Sequence, residues 1–260
     1  MKFASLTSIA PGASLAEQCA AIAQAGCAGV ETIVFPTTPL EYWQREMRAA
    51  TTNSNLELVA VILGGLALHH AGQMPYVREA MQAIAELGAA ALLTPEYAAQ
   101  QPLPLFPPYP APPTHEQTRA DEALHTISGL ATQLNARVLI EPITQFESRF
   151  CRDVHTAIRM CDKTHNPLMQ IVLDTHNINI TEANVGESIR ATGHRIGHVH
   201  LSDNNRQLPG CGHIDFVALL AALAEVSYHG WYSFECAVGD DFVVRVRDVM
   251  QRLQDLEFKL

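Results

Sequence analysis

Short, nearly continuous apolar runs rich in Val, Ile, Leu and Ala alternate along this chain with longer stretches of helical spacing. Lys2–Leu6 predicts a first strand. Ser14-Leu15-Ala16-Glu17 predicts a capping box, in which the Ser hydroxyl and the Glu carboxylate satisfy each other's backbone N–H groups. That box opens a helix through Ala25, and Gly26 supplies the left-handed stop. Gly29–Val34 reads as a second strand and Leu40–Ala50 as a second helix. Leu56–Leu63 is apolar almost throughout, as expected of a strand covered on both faces of a parallel sheet. A helix over Met74–Leu87 and a strand over Ala90–Leu93 follow.

Gln101–Thr114 carries seven prolines and can be neither a helix nor a central strand. Regular strand-helix units flank it on both sides, which favours a stiff loop within one domain over an inter-domain linker. Its Phe106 and Tyr109 could wall a pocket or simply anchor the loop. Thr114-His115-Glu116-Gln117 predicts a second capping box and a helix ending near Leu134. Beyond it, Val138–Ile143, Gln170–Asp174, Gly197–Ser202 and Trp231–Glu235 read as strands. Arg152–Cys161, Glu182–Ala191, Phe216–Val226 and Phe242–Leu256 read as helices.

Eight strand-helix units predict an α/β fold, a (β/α)₈ barrel, which typically takes about 250 residues. They occupy residues 1–260 and leave no room for a second domain. An open doubly wound sheet would need a Gly-rich phosphate turn after the first strand, and Ser5-Leu6-Thr7-Ser8 is not one.

Composition narrows the partners. With 17 Lys plus Arg against 27 Asp plus Glu, the formal charge is −10, which opposes nucleic acid and anionic membrane surfaces. The longest apolar run, Leu58–Leu68, falls short of the ~20 residues a bilayer demands and is broken by Gly64-Gly65. Polar residues and Pro11-Gly12 interrupt the N-terminal stretch, so no signal peptide is expected. Cys19, Cys27, Cys151, Cys161, Cys211 and Cys236 show no C-x-x-C spacing and read as reduced thiols of a cytoplasmic protein.

In such a barrel the chemistry sits at the C-terminal strand ends. Four consecutive predicted strands end in Glu141, Asp174, His200 and Glu235, each about one strand-helix unit from the next. Three carboxylates and an imidazole at one level are costly to bury unless a cation offsets their repulsion. The oxygen-rich set suits Mn²⁺, Mg²⁺ or Co²⁺, with Zn²⁺ also allowed. Taken singly, each of these residues could be a helix cap or a salt-bridge partner. His198 shares a strand face with His200 and could also point inward; His200 lies nearer the strand end. Glu31, Glu96 and the pair His69-His70 follow other strands, and nothing in the sequence decides their role.

Several of these motifs recur together in one family. Ile140-Glu141-Pro142, Leu173-Asp174-Thr175, His198 through Arg206, Pro209-Gly210-Cys211-Gly212 with Ile214-Asp215-Phe216, and Phe234-Glu235 resemble the xylose isomerase-like TIM-barrel superfamily. Within it the chain looks most like the ketose 3-epimerases and hydroxypyruvate isomerase-like proteins. The resemblance implies a metal held by Glu141, Asp174, His200 and Glu235, with Glu141 and Glu235 as the acid/base pair. It also implies substrate contacts from Glu147 and Arg206 and a metal-stabilised enediolate. A small sugar, ketose or hydroxy-keto acid would be the substrate, and a homo-oligomer would be in keeping with the superfamily.

One departure stands out. The epimerases carry a His three residues after the Asp ligand; here Asn177 stands there, with His176 one place earlier, and both are candidate substrate contacts. Two other readings of the same residues are an endonuclease IV-like phosphodiesterase and a non-catalytic sugar-binding barrel. The first would want a His where Asn177 stands, and another after the strand that ends Leu93-Thr94-Pro95. The second would have no use for two basic glutamates.

Overall fold

The computed structural model describes residues 1–97 and 110–258. Strands β1 (Lys2–Leu6), β2 (Gly29–Val34), β3 (Glu57–Leu63), β4 (Ala90–Leu93), β5 (Val138–Ile140), β6 (Met169–Asp174), β7 (Ile196–Leu201) and β8 (Trp231–Phe234) are parallel and neighbour one another in chain order. β8 pairs back onto β1, with Lys2 opposite Trp231, so the barrel closes and no strand edge is left free. Helices α1 (Leu15–Ala25), α2 (Leu40–Ser54), α3 (Met74–Glu86), α4 (Thr114–Leu134), α5 (Val154–Thr164), α6 (Thr175–Thr181), α7 (Val185–Thr192), α8 (Phe216–Glu225) and α9 (Phe242–Glu257) connect the strands. This is the expected (β/α)₈ TIM barrel.

Strand side chains alternate between two cores, as a period of two demands. Val138 and Ile140, Ile171 and Leu173, and Val199 and Leu201 belong to the large cluster shared with the helices. The intervening Leu139 and Val172 join Ala4, Val59, Ala60, Ala90, Leu92 and Trp231 in a separate small cluster inside the barrel. On β5 and β6, where this alternation is regular, a residue two positions beyond an inner one also faces inward. That parity places Glu141 after Leu139 and Asp174 after Val172.

Local signals held in part. Ser14 and Glu17 form the reciprocal capping box, and Gly26 ends α1 at φ 97°. The second box does not form. Pro113 takes the capping position, Thr114 is already helical, and Gln117 donates instead to Asp121. β5 stops at Ile140, three residues short of expectation, because the chain turns away at Pro142. α6 was not expected: its run of Thr, Asn and Ile has little helix propensity, and Asp174 nucleates it by accepting the backbone N–H of Asn177 at 2.8 Å. Phe106, Tyr109 and most of the proline-rich stretch lie outside the described residues. No helix among those described is long and apolar enough to cross a membrane.

Candidate active site

The four strand-end residues meet. Asp174 and His200 are paired in the β6–β7 register. Glu141 follows β5 and donates its backbone N–H to Leu93, while Glu235 follows β8 and donates to Leu201. The Nδ1 atom of His200 lies 3.0 Å from Glu141 Oε1, 3.1 Å from Glu235 Oε2 and 4.0 Å from Asp174 Oδ2. One donor atom from each of the four residues lies within 4.8 Å of all the others. Glu141, Asp174 and His200 are buried, and the Glu235 side chain keeps 26% of its exposure.

The electrostatics follow from crowding three carboxylates in a space with little water. Burial pushes Glu235 up to about 7, and the neighbouring Glu141 and Asp174 add to that against the pull of His200. Burial also raises Glu141. Asp174 is equally buried, but Arg206 and then His200 outweigh burial and hold its carboxyl below the usual range. His200 is driven the other way. Burial opposes its charge, yet Glu31, Glu235 and Glu141 raise it well above an ordinary imidazole. A site that draws positive charge this strongly, built from three carboxylate oxygens and one imidazole nitrogen, fits a divalent cation.

Above the cluster lies a cavity of about 360 Å³, within the range of small-molecule sites. Glu141, Glu235, Glu147, Asn177 and Arg206 line one side, and Leu6, Ile33, Phe35, Ile62 and Tyr97 the other. Arg206 is already engaged: it donates to Asp174 Oδ2 at 2.7 Å and to Asn177 Oδ1 at 3.2 Å. Glu147 accepts from Thr144 Oγ1 at 2.8 Å. His176 is not among the residues lining this cavity; its Nδ1 faces the backbone oxygen of Asp203 at 3.3 Å. The structure thus brings Asn177 and Glu147 to the cavity and turns His176 aside.

The loop that carries Arg206 is tied by one carboxylate. Asp203 accepts backbone N–H groups of Asn204 and Ile214 through Oδ1 and of Gly210 through Oδ2. Burial works against that charge, but these amides outweigh it and hold the Asp203 carboxyl below its ordinary value. A Cβ at Gly212 would lie 2.3 Å from Asp203 Oδ1 and closer still to Asn204, so only glycine closes this turn. Arg206 itself sits in the left-handed region at φ 56°.

Other residues resolve into structural parts. Glu96 is buried against Arg149, which also bridges to Glu116. His69 is packed, stacked on Phe150 with ring centroids 5.1 Å apart. Trp231 belongs to the inner apolar cluster, and Trp43 is buried in the outer one. All six cysteines are free, and Cys211 alone among them is exposed.

Two features were not assigned from sequence. Glu31 turns inward from β2 and meets both His198 and His200, partners more than 160 positions away that no local spacing could reveal. The apolar wall of the cavity escaped because Leu6, Ile33 and Ile62 look like core residues of a buried strand.

A parallel eight-stranded barrel with an acid-and-imidazole cluster at its strand ends defines the class of protein. The chain belongs to the xylose isomerase-like TIM barrel family, whose model matches residues 19–256. It is 27% identical to an L-ribulose 3-epimerase of Methylomonas sp. (strain DH-1) over 49% of this chain and 45% of that protein. It is 30% identical to a D-psicose 3-epimerase of Enterocloster bolteae over 50% and 42%. The chain thus spans about half the length of these curated relatives. A 3-dehydro-D-guloside 4-epimerase of Escherichia coli matches at 26% identity over 61% of each chain. Among solved structures, the apo form of a 3-keto-D-glucoside 4-epimerase from E. coli superposes with a TM-score of 0.83 at 21% identity, covering 98% of this chain and 99% of that one.

Proposed function

We propose that the protein is a divalent-metal-dependent isomerase or epimerase of a small, unphosphorylated ketose or keto-sugar. The observation that carries this reading is the convergence of Glu141, Asp174, His200 and Glu235 within 4.8 Å beneath the cavity. These four would hold the cation, with Mn²⁺ the best match to the donor set and Mg²⁺, Co²⁺ or Zn²⁺ the alternatives. Once bound, it would act as a Lewis acid on the negative charge that develops on substrate oxygens.

The chain's own groups do the rest. One of Glu141 and Glu235 takes the proton α to the substrate carbonyl, and the other returns a proton to the enediolate, on the opposite face for an epimerisation. Arg206 holds Asp174 and Asn177 in place, and Asn177 and Glu147 offer hydrogen bonds to sugar hydroxyls. The apolar wall from Leu6 to Tyr97 excludes water from the other side.

Charge selects a neutral substrate. Arg206 is the only cation among the described residues lining the cavity, and carboxylates already occupy it. The sequence of residues 98–109 contains no Lys or Arg to add another. Away from the proposed cation, a phosphate or carboxylate on the substrate would face Glu147 with no free Lys or Arg among the described lining residues to pair it, which sets hydroxy-keto acids behind neutral sugars. The named epimerases among its relatives are consistent with such a substrate. The free cysteines support a cytoplasmic location, and we propose one domain over residues 1–260.

The test is isotope exchange. L-ribulose, D-psicose and a 3-keto-glucoside, incubated with the protein and Mn²⁺ in D₂O, should gain deuterium at a carbon next to the carbonyl in at least one case. Glu141→Gln and Glu235→Gln should each lower that rate by about 10²–10⁴. Full activity in both variants would sink the mechanism.

A further inference from the structure

Glu31, His198 and His200 form a buried polar cluster that does not line the cavity. Glu31 is 1% exposed, His198 2% and His200 0%. Glu31 Oε1 lies 3.0 Å from His200 Nε2, and Oε2 lies 3.0 Å from His198 Nε2. The two imidazoles meet edge to face, with centroids 5.1 Å apart at 88°. A register shift in the β2–β3 pairing falls between Val30 and Glu31 and can re-aim the side chain at this point.

An ionised carboxylate only accepts hydrogen bonds, so both Nε2 atoms facing it carry the hydrogen. For His200 this has a chemical consequence at the other nitrogen. When a metal displaces the proton that Nδ1 shares with Glu141 and Glu235, the hydrogen kept on Nε2 leaves the Nδ1 lone pair for ligation. His198 occupies the second oxygen of Glu31 and stops the carboxylate from rotating away. We propose that Glu31, braced by His198, is a positioning residue that sets the ring orientation and tautomer of His200 for metal ligation. This rests on the reading of Glu141, Asp174, His200 and Glu235 as a metal site. Carboxylate–histidine–metal chains of this kind commonly govern affinity from outside the ligand set.

Glutamine at position 31 separates positioning from mere packing. Its carbonyl oxygen can serve one imidazole, but its NH₂ then faces the other and demands an acceptor there. When that other is His200, the hydrogen moves to Nδ1 and blocks the ligating atom.

The experiment titrates Mn²⁺ into metal-stripped wild type, Glu31→Gln and His198→Gln by calorimetry. Bound metal per chain is counted by mass spectrometry, and the melting temperature of each metal-free protein is recorded. Wild type should bind one ion per chain. Glu31→Gln should bind about 10–100-fold more weakly, and His198→Gln about tenfold more weakly, while the metal-free melting temperatures stay within a few degrees. In long-range ¹H–¹⁵N spectra at saturating Mg²⁺, His200 should be the Nε2–H tautomer throughout in wild type, whereas Glu31→Gln should keep a metal-free fraction with hydrogen on Nδ1.

Wild-type Mn²⁺ affinity in a folded Glu31→Gln overturns the proposal while leaving the metal site intact. If Glu31→Gln does not fold, unchanged affinity in His198→Gln overturns it instead. Two ions in wild type falling to one in Glu31→Gln would make Glu31 a ligand, which also overturns it. A wild type that binds no Mn²⁺ removes the metal reading together with this one.

Discussion

The two halves of the barrel present different surfaces to the cavity. β5–β8 deliver Glu141, Asp174, His200 and Glu235, each tied to a neighbour by a hydrogen bond or a charge. β1–β4 and the loops after them deliver mainly apolar groups, Leu6, Ile33, Phe35, Ile62, Gly64 and the Tyr97 ring, with the hydroxyls of Ser8, Thr94 and Tyr97 as the polar exceptions. Electrostatic positions are rigid because a displaced buried charge loses its partners at a cost of several kcal/mol. Apolar positions tolerate a change of volume far more readily. Under the proposed function, the second half would set the reaction and the first half the size of the substrate.

The largest expected effect is on that charged half as a unit. Mn²⁺ at 100 times its dissociation constant should stabilise the protein by about 2.7 kcal/mol, visible as a rise in melting temperature that a chelator reverses. Amide hydrogen exchange should slow at the ends of β5–β8 and little at those of β1–β4. Protection spread evenly around the barrel would erase the distinction. Arg206→Ala is a finer cut. It removes the charged donor from Asp174 and Asn177, and kcat/KM on the identified sugar should fall by the equivalent of about 1.5–3 kcal/mol. An unchanged kcat/KM would mean that Asp174 holds its place without it.

The smallest effect belongs to the apolar half. A Cβ at Gly64 would meet the Phe35 ring at 2.5 Å, but Phe35 is 44% exposed and can swing outward. Gly64→Ala should cost less than about 1 kcal/mol of stability in urea unfolding, because a surface side chain away from the core absorbs the change. It should shift KM more than kcat. A large loss of kcat would show that the apolar wall does more than shape the pocket.

Much of the charged half could be read from the chain, because strands that end in a carboxylate or an imidazole one unit apart leave a regular trace. The parity of two that buries Leu139 and Val172 inside also aims Glu141 and Asp174 at the centre. Elsewhere a distant or local competitor overrides the local signal. Ser14 and Thr114 head similar motifs, yet Pro113 and the Gln117–Asp121 contact decide the second one differently. Asn177 and His176 are adjacent, and only the α6 turn capped by Asp174 determines which of them reaches the cavity. Glu31 is legible as a strand-end carboxylate but its purpose is not, since His198 and His200 come from β7, five strands later in the chain.

The loop bound by Asp203 has a thermodynamic consequence. Fixing the backbone of one residue takes roughly 1–2 kcal/mol of conformational entropy. In residues 203–214 that loss is incurred when the chain folds, as Asp203 gathers the amides of Asn204, Gly210 and Ile214. A ligand arriving beside Arg206 then meets an arm already in its final shape. Calorimetry of binding should register desolvation and new contacts, with almost no heat-capacity signature of a loop becoming ordered.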